Sequence, residues 1–353
     1  VASYRFEGNA NDDMRTYDGT ATNVTYEYGI GFTPDFVWVK ERSAAESHRL
    51  FDTTRGATKR LFSDNTNAES TATDSLTSFD TGGFTVGSSA AVNQSGQDYV
   101  GWAWKANGGT TSSNTDGTIT STVQVNADAG FSIATWDGNG SSASIGHGLG
   151  VAPDMLLVKN LDGTNSWIVR HKDFNGYLSL EQSAAGSSSD VFGTAPDATK
   201  YYFNTAAGGN GYLSANTYVG YFFASIEGFS KFGSYTGNGS DNGPIVETGF
   251  EPAFLMFKRT DSASAWVMID NARDPSNPRL KYLMAQGLNS EASDLNGVDF
   301  LANGFQIKDD YADWNTSGSP YIYMAFAADP DTEAPTVAKS FSTVTYTGNG
   351  GTQ

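Results

Sequence analysis

The chain reads as all-β, a row of tandem antiparallel β-sandwiches, on three observations. One strand pattern occurs three times, the composition suits short strands joined by tight turns, and no window of useful length carries a helical period. The pattern is clearest in Gly249-Phe250-Glu251-Pro252-Ala253-Phe254-Leu255-Met256-Phe257-Lys258, with earlier copies at residues 31–40 and 150–159, and in each copy the lysine follows the proline by six places. The composition includes 40 glycines and 13% aromatic residues.

A proline after a turn-forming glycine fixes φ and starts an extended segment, and the apolar run that follows leaves no polar face. This marker strand is therefore expected to be buried on both sides. Other landmarks keep step with it, which makes a domain repeat of a motif. Eight residues after the lysine stand His48, Trp167 and Trp266, and four beyond those stand Asp52, His171 and Asp270. Each unit closes on a second apolar strand, beginning at Tyr99, Tyr218 and Tyr321. The openings match as well: Trp136, Tyr235 and Tyr346 each stand two residues before a Gly-Asn-Gly turn. The last opening belongs to a fourth unit that the sequence does not finish. With no initiator Met at Val1, the 353 residues are expected to be part of a longer polypeptide.

The expected organisation follows in order: an N-terminal β-hairpin at 1–23, units at 24–106, 129–227 and 228–328, and 329–353 as an acidic linker and the start of a fourth unit. Residues 107–128 form a Gly/Ser/Thr-rich linker, yet 119–125 alternate as a strand, so that strand should pair with something. Residues 79–86 and 300–307 read as internal hairpins around glycine turns. The best helical candidates, 58–62 and 279–286, fit strands or turns equally well.

Formal charge excludes some partners. With 21 Lys and Arg against 39 Asp and Glu, the net charge is −18, which opposes binding to nucleic acid or to an anionic membrane surface. Cysteine is absent, so no disulfide or thiolate site exists. No apolar run reaches the roughly 20 residues that span a bilayer, and the reading is of a soluble chain.

Asp52 with Arg55, and Asp270 with Arg273, place an acid and an arginine three residues apart at matching positions. They read as structural ion pairs that fix a loop rather than as a ligand clamp, since unit two has His171 and Phe174 there. His48, His147 and His171 lack metal-ligand spacing. The glycines around His147 read as a turn, because no lysine or helix start follows as a phosphate loop requires. Asp309, Asp310 and Asp313, or Asp137 with Asn139, offer oxygens to calcium but lack the spacing of a calcium loop, so no cofactor is expected. Paired acids for glycoside hydrolysis do not repeat between units. Trp314, Tyr311 and Tyr202, in polar surroundings, are the candidates for stacking on a sugar ring.

The segment from Tyr4-Arg5-Phe6-Glu7-Gly8 to Tyr26 resembles the first hairpin of laminin-G or concanavalin-like lectin domains, and the units are expected to be of that jelly-roll, lectin-like kind. The marker strand, the Trp or His after it and the closing Tyr-Val-Gly-Trp strand resemble a repeat domain of structural proteins from tailed phages of marine bacteria. That resemblance covers about residues 24–328. It implies a non-enzymatic virion protein of a tail fibre, spike or capsid fibre, exposed on the particle, contacting other virion proteins and a host-surface glycan. The alternatives are a capsule-degrading tailspike enzyme and a bacterial adhesin at the cell surface. Units in single file would expose edges and apolar rims, which predicts a homo-oligomer, a trimer foremost.

Overall fold

The computed structural model describes residues 30–189, 191–204, 214–327 and 339–353. The lectin-like opening lies outside these residues. The architecture is all-β: each unit has a main antiparallel sheet backed by a small second sheet, as a sandwich requires. No helix among the described residues is long and apolar enough to cross a membrane.

In unit one the main sheet runs Arg49–Asp52, the marker strand Phe36–Glu41, the closing strand Asp98–Trp104, then Phe341–Thr347. Unit two repeats the order with Ile168–His171, Met155–Asn160, Thr217–Phe223 and Phe131–Asp137. Unit three does so with Trp266–Asp270, Pro252–Arg259, Pro320–Ala327 and Ser230–Thr236. The expected hairpins lie in the second sheets of units one and three, as Leu76–Asp80 with Gly83–Val86 and Val298–Leu301 with Gly304–Ile307.

Two expectations are corrected. The stretch expected to open a fourth unit is the outer strand of unit one, with Phe341 opposite Trp104 and Tyr346 opposite Tyr99. Unit one thus takes its opening strand from the far end of the sequence, whereas units two and three carry theirs at their own start. Nor do the units stand in single file.

Side chains alternate along each marker strand, so one face enters the unit's own sandwich and the other a core shared by all three. Val37 and Val39 face the unit-one sandwich, Leu156 and Val158 that of unit two, and Leu255 and Phe257 that of unit three. Phe36, Trp38, Met155, Leu157, Phe254 and Met256 point into the shared core. At its centre Trp104 packs on Phe223, Phe254, Phe326 and Phe341, with ring centroids 5.1–6.3 Å apart. The strands are apolar on both faces because the three units close a ring around one another.

The strand expected near 119–125 is present as Ser121–Asn126 and pairs with Phe131–Asp137, extending the unit-two sheet. Its surroundings are anchored to unit one: Asp35 accepts N–H bonds from Ala106, Gly108 and Gly109 at 2.7–2.9 Å. Gln124 donates to the hydroxyls of Thr53 and Thr54. The residues offered as short helices contain Lys59–Arg60 and Leu283–Met284 as short strands, while the helices among the described residues are Ala90–Asn93 and Ala312–Asn315.

Candidate functional site

The polar groups that repeat from unit to unit meet at the seams of the ring. Asp52 accepts from the guanidinium of Arg55 at 2.5 Å and from the hydroxyl of Tyr221, in unit two, at 2.7 Å. Asp270 accepts from Arg273 at 2.6 Å and from the indole N–H of Trp102, in unit one, at 3.0 Å. All four members of the two ion pairs have side chains no more than 3% exposed. The expected ion pairs are thus present, and each also receives a hydrogen bond across a seam. Burial would penalise these charges severely without such partners.

The third position shows why unit two lacks the pair. Tyr221 and Trp102 stand three residues after the first tyrosine of their closing strands, where unit three has Met324, a residue with no donor. A buried carboxylate at position 171 would have no side-chain donor to accept from across the seam, and Phe174 replaces the arginine. His171 instead meets the backbone carbonyl of Tyr323 at 3.1 Å.

The preceding landmark reaches the other neighbour. Trp167 donates to the carbonyl of Phe62 in unit one at 2.7 Å, and Trp266 to that of Ser179 in unit two at 3.0 Å. His48 meets the carbonyl of Met284 in unit three at 3.1 Å. The same contact therefore runs around the ring in one direction. The marker lysines join it: Lys159 donates to Thr66 and Lys258 to Ser183 of the preceding unit. Lys40 finds acceptors within its own unit, at Glu41 and Ala44. Burial pulls all three ammonium groups down to about 8.

The sugar-stacking candidates are not brought together as a set. Trp314 is corrected outright: it is 1% exposed and packs edge-on to Phe257 and Tyr282, each at 5.4 Å. Its polar neighbours belong to the other faces of the Ala312–Asn315 turn. The repeat carried the signal, since Val92, also buried in a short helix, stands seven residues before the closing tyrosine just as Trp314 does. Tyr311 is 48% exposed in unit three. Tyr202 is half-buried in the second sheet of unit two, where its hydroxyl donates to Asp197.

The oxygen-rich segments serve turns. Asp309 accepts from the N–H groups of Asn296 and Tyr311, and Asn139 from that of Ser141. Among the described residues no group of three or more His, Asp or Glu side chains is placed to hold a metal ion. Three surface depressions, of about 400, 300 and 780 Å³, hold at most one carboxylate each, Asp294 in the first and Asp241 in the third. None of the three sets two acids facing across a cleft.

Residues 11–330 match the family described as a domain of unknown function (DUF7483). The chain belongs to this family. The match runs through all three units of the ring as one. Neither the curated proteins nor the solved structures contain a match to the chain.

Proposed function

We propose that this chain is a non-catalytic structural module of a phage virion, a part of a tail fibre, spike or capsid fibre exposed on the particle among other virion proteins. The observation that supports the reading is the use of its repeated polar groups. Asp52, Arg55, Asp270, Arg273 and two of the marker lysines, Lys159 and Lys258, are spent holding the units together, so the repetition builds a rigid body and leaves no repeated reactive constellation on a surface among the described residues. Host-surface glycan recognition belongs to the same proposal, with the exposed ring of Tyr311 as its contact. So does self-association, which the outer strands Phe341–Thr347 and Ser230–Thr236 support, since each pairs on one side only among the described strands.

Locating the chain in purified particles by mass spectrometry and antibody labelling tests the assignment, and its absence from particles sinks it. Release of reducing ends from host polysaccharide by the purified chain would overturn the non-catalytic part. On a glycan array, Tyr311→Ala is expected to lose binding that the unaltered chain shows.

A further inference from the structure

We propose that unit three is held to both its neighbours by histidine latches that acid opens, while the seam between units one and two stays closed. The inference stands apart from the proposed function and rests on the ring's hydrogen bonds.

At the seam of units one and three, the indole N–H of Trp38 donates to Nδ1 of His48 at 2.8 Å, and Nε2 of His48 lies 3.1 Å from the carbonyl of Met284. Because Nδ1 accepts, the ring is neutral and carries its proton on Nε2, from which it donates across the seam. At the seam of units two and three, the N–H of Asp173 donates to Nδ1 of His171 at 3.2 Å, and Nε2 donates to the carbonyl of Tyr323 at 3.1 Å. A second proton on either ring would point Nδ1–H at an N–H group. The bridging geometry admits only the neutral form.

The surrounding charges act as follows. Lys40 and Arg49 from unit one and Arg273 from unit three all oppose charge on His48, while Asp64 is engaged by the backbone N–H of residue 48. Around His171, Lys172 opposes charge and Asp173 and Asp154 favour it, and unit three presents the Tyr323 carbonyl. Both side chains are fully buried. Burial holds His48 well below its ordinary range and His171 at about 4. The sign follows: an opened, solvated histidine takes up a proton near pH 6.5 and the closed one does not, so closure is favoured above that pH and weakens as pH falls toward 4.

The seam of units one and two is held by Tyr221 on Asp52, Trp167 on Phe62, Lys159 on Thr66 and the N–H of Glu69 on Leu161. No histidine among the described residues bridges it. His147 lies within unit two, with Leu149 donating to Nδ1 and Nε2 donating to the carbonyl of Asp197.

Hydrogen exchange of the full chain at pH 7.5 and pH 5.0, corrected for the intrinsic pH dependence of exchange, tests the proposal. The N–H of Glu291, bonded to Arg42, reports the seam of units one and three, and those of Ser264 and Gly186, bonded to Ser183 and Thr260, that of units two and three. Protection of the latter pair is expected to fall about thirtyfold at pH 5, from a histidine at about 4 closed and about 6.5 open. The N–H of Glu291 is expected to follow, and that of Glu69 to keep its protection. Equal loss at all three seams, or no loss at the two seams of unit three, overturns the proposal. His48→Gln and His171→Gln, which retain a donor and an acceptor without titrating, are expected to flatten the pH response. Should either variant fail to fold, the unaltered chain's two-pH comparison decides alone.

Discussion

The closest test of the seam argument lies at position 171. His171→Asp would set a buried carboxylate where Met324 offers no donor and Phe174 no cation, so it is expected to cost several kcal/mol, as an unpaired buried charge does. Urea unfolding measures this, and a loss below about 1 kcal/mol would show that position to be wetter than its burial implies. Conversely, Asp270→Ala removes one partner from a buried pair, leaving the Trp102 N–H without its acceptor and Arg273 with Glu291 as its remaining ion-pair partner, with an expected loss of about 3 kcal/mol. Thr343 offers the opposite sign. Its hydroxyl is buried with no partner among the described residues, and Ile133 and Phe232 hold the matching place in the other opening strands. Thr343→Val is expected to stabilise by about 1 kcal/mol, read as a higher urea midpoint.

At the level of elements, the decisive piece is the Phe341–Thr347 strand. It completes the unit-one sheet as Phe131–Asp137 and Ser230–Thr236 complete theirs, and it carries Phe341 into the shared core against Trp104, Phe254 and Phe326. Phe341→Ala should cost about 3–5 kcal/mol, the range for truncating a packed aromatic side chain. A loss confined to fraying of this strand, with the unfolding midpoint of the remainder unchanged, would mean that closure contributes little to the ring. The opening motif around Tyr346 was legible as a strand from its likeness to the other openings. Which unit it belongs to was not, because the motif encodes a strand with one apolar face and names no partner for its edge.

For the whole molecule, the marker lysines make stability depend on alkaline pH in a calculable direction. Folded, they hold their protons only to about 8, while the unfolded chain keeps them to about 10.5, so the unfolded state binds more protons in between and stability rises with pH over that window. Tyr99 and Tyr323, pushed up by burial to about 12, act the other way above pH 10, where unfolded tyrosines ionise and folded ones do not. The urea midpoint is therefore expected to climb from pH 8 toward pH 10 and then fall. A steady decline from pH 8 would contradict the assignment of the lysines as buried and proton-poor.

The sequence by itself determined the three units, their strand-rich fold, the burial of both faces of the marker strand and the ion pairs of Asp52 with Arg55 and Asp270 with Arg273. Each of these follows from local spacing, because alternation and i to i+3 proximity are properties of a short stretch of chain. Only the tertiary structure decided what covers the second face, that unit one is closed from the far end of the sequence, that Tyr221 and Trp102 complete the buried acids, and that Trp314 is core. Those outcomes depend on which distant residues arrive at a surface. A run such as Phe36-Val37-Trp38-Val39 demands apolar cover on both sides, but a strand's periodicity carries no information on whether a neighbouring unit, a second copy or its own chain provides it.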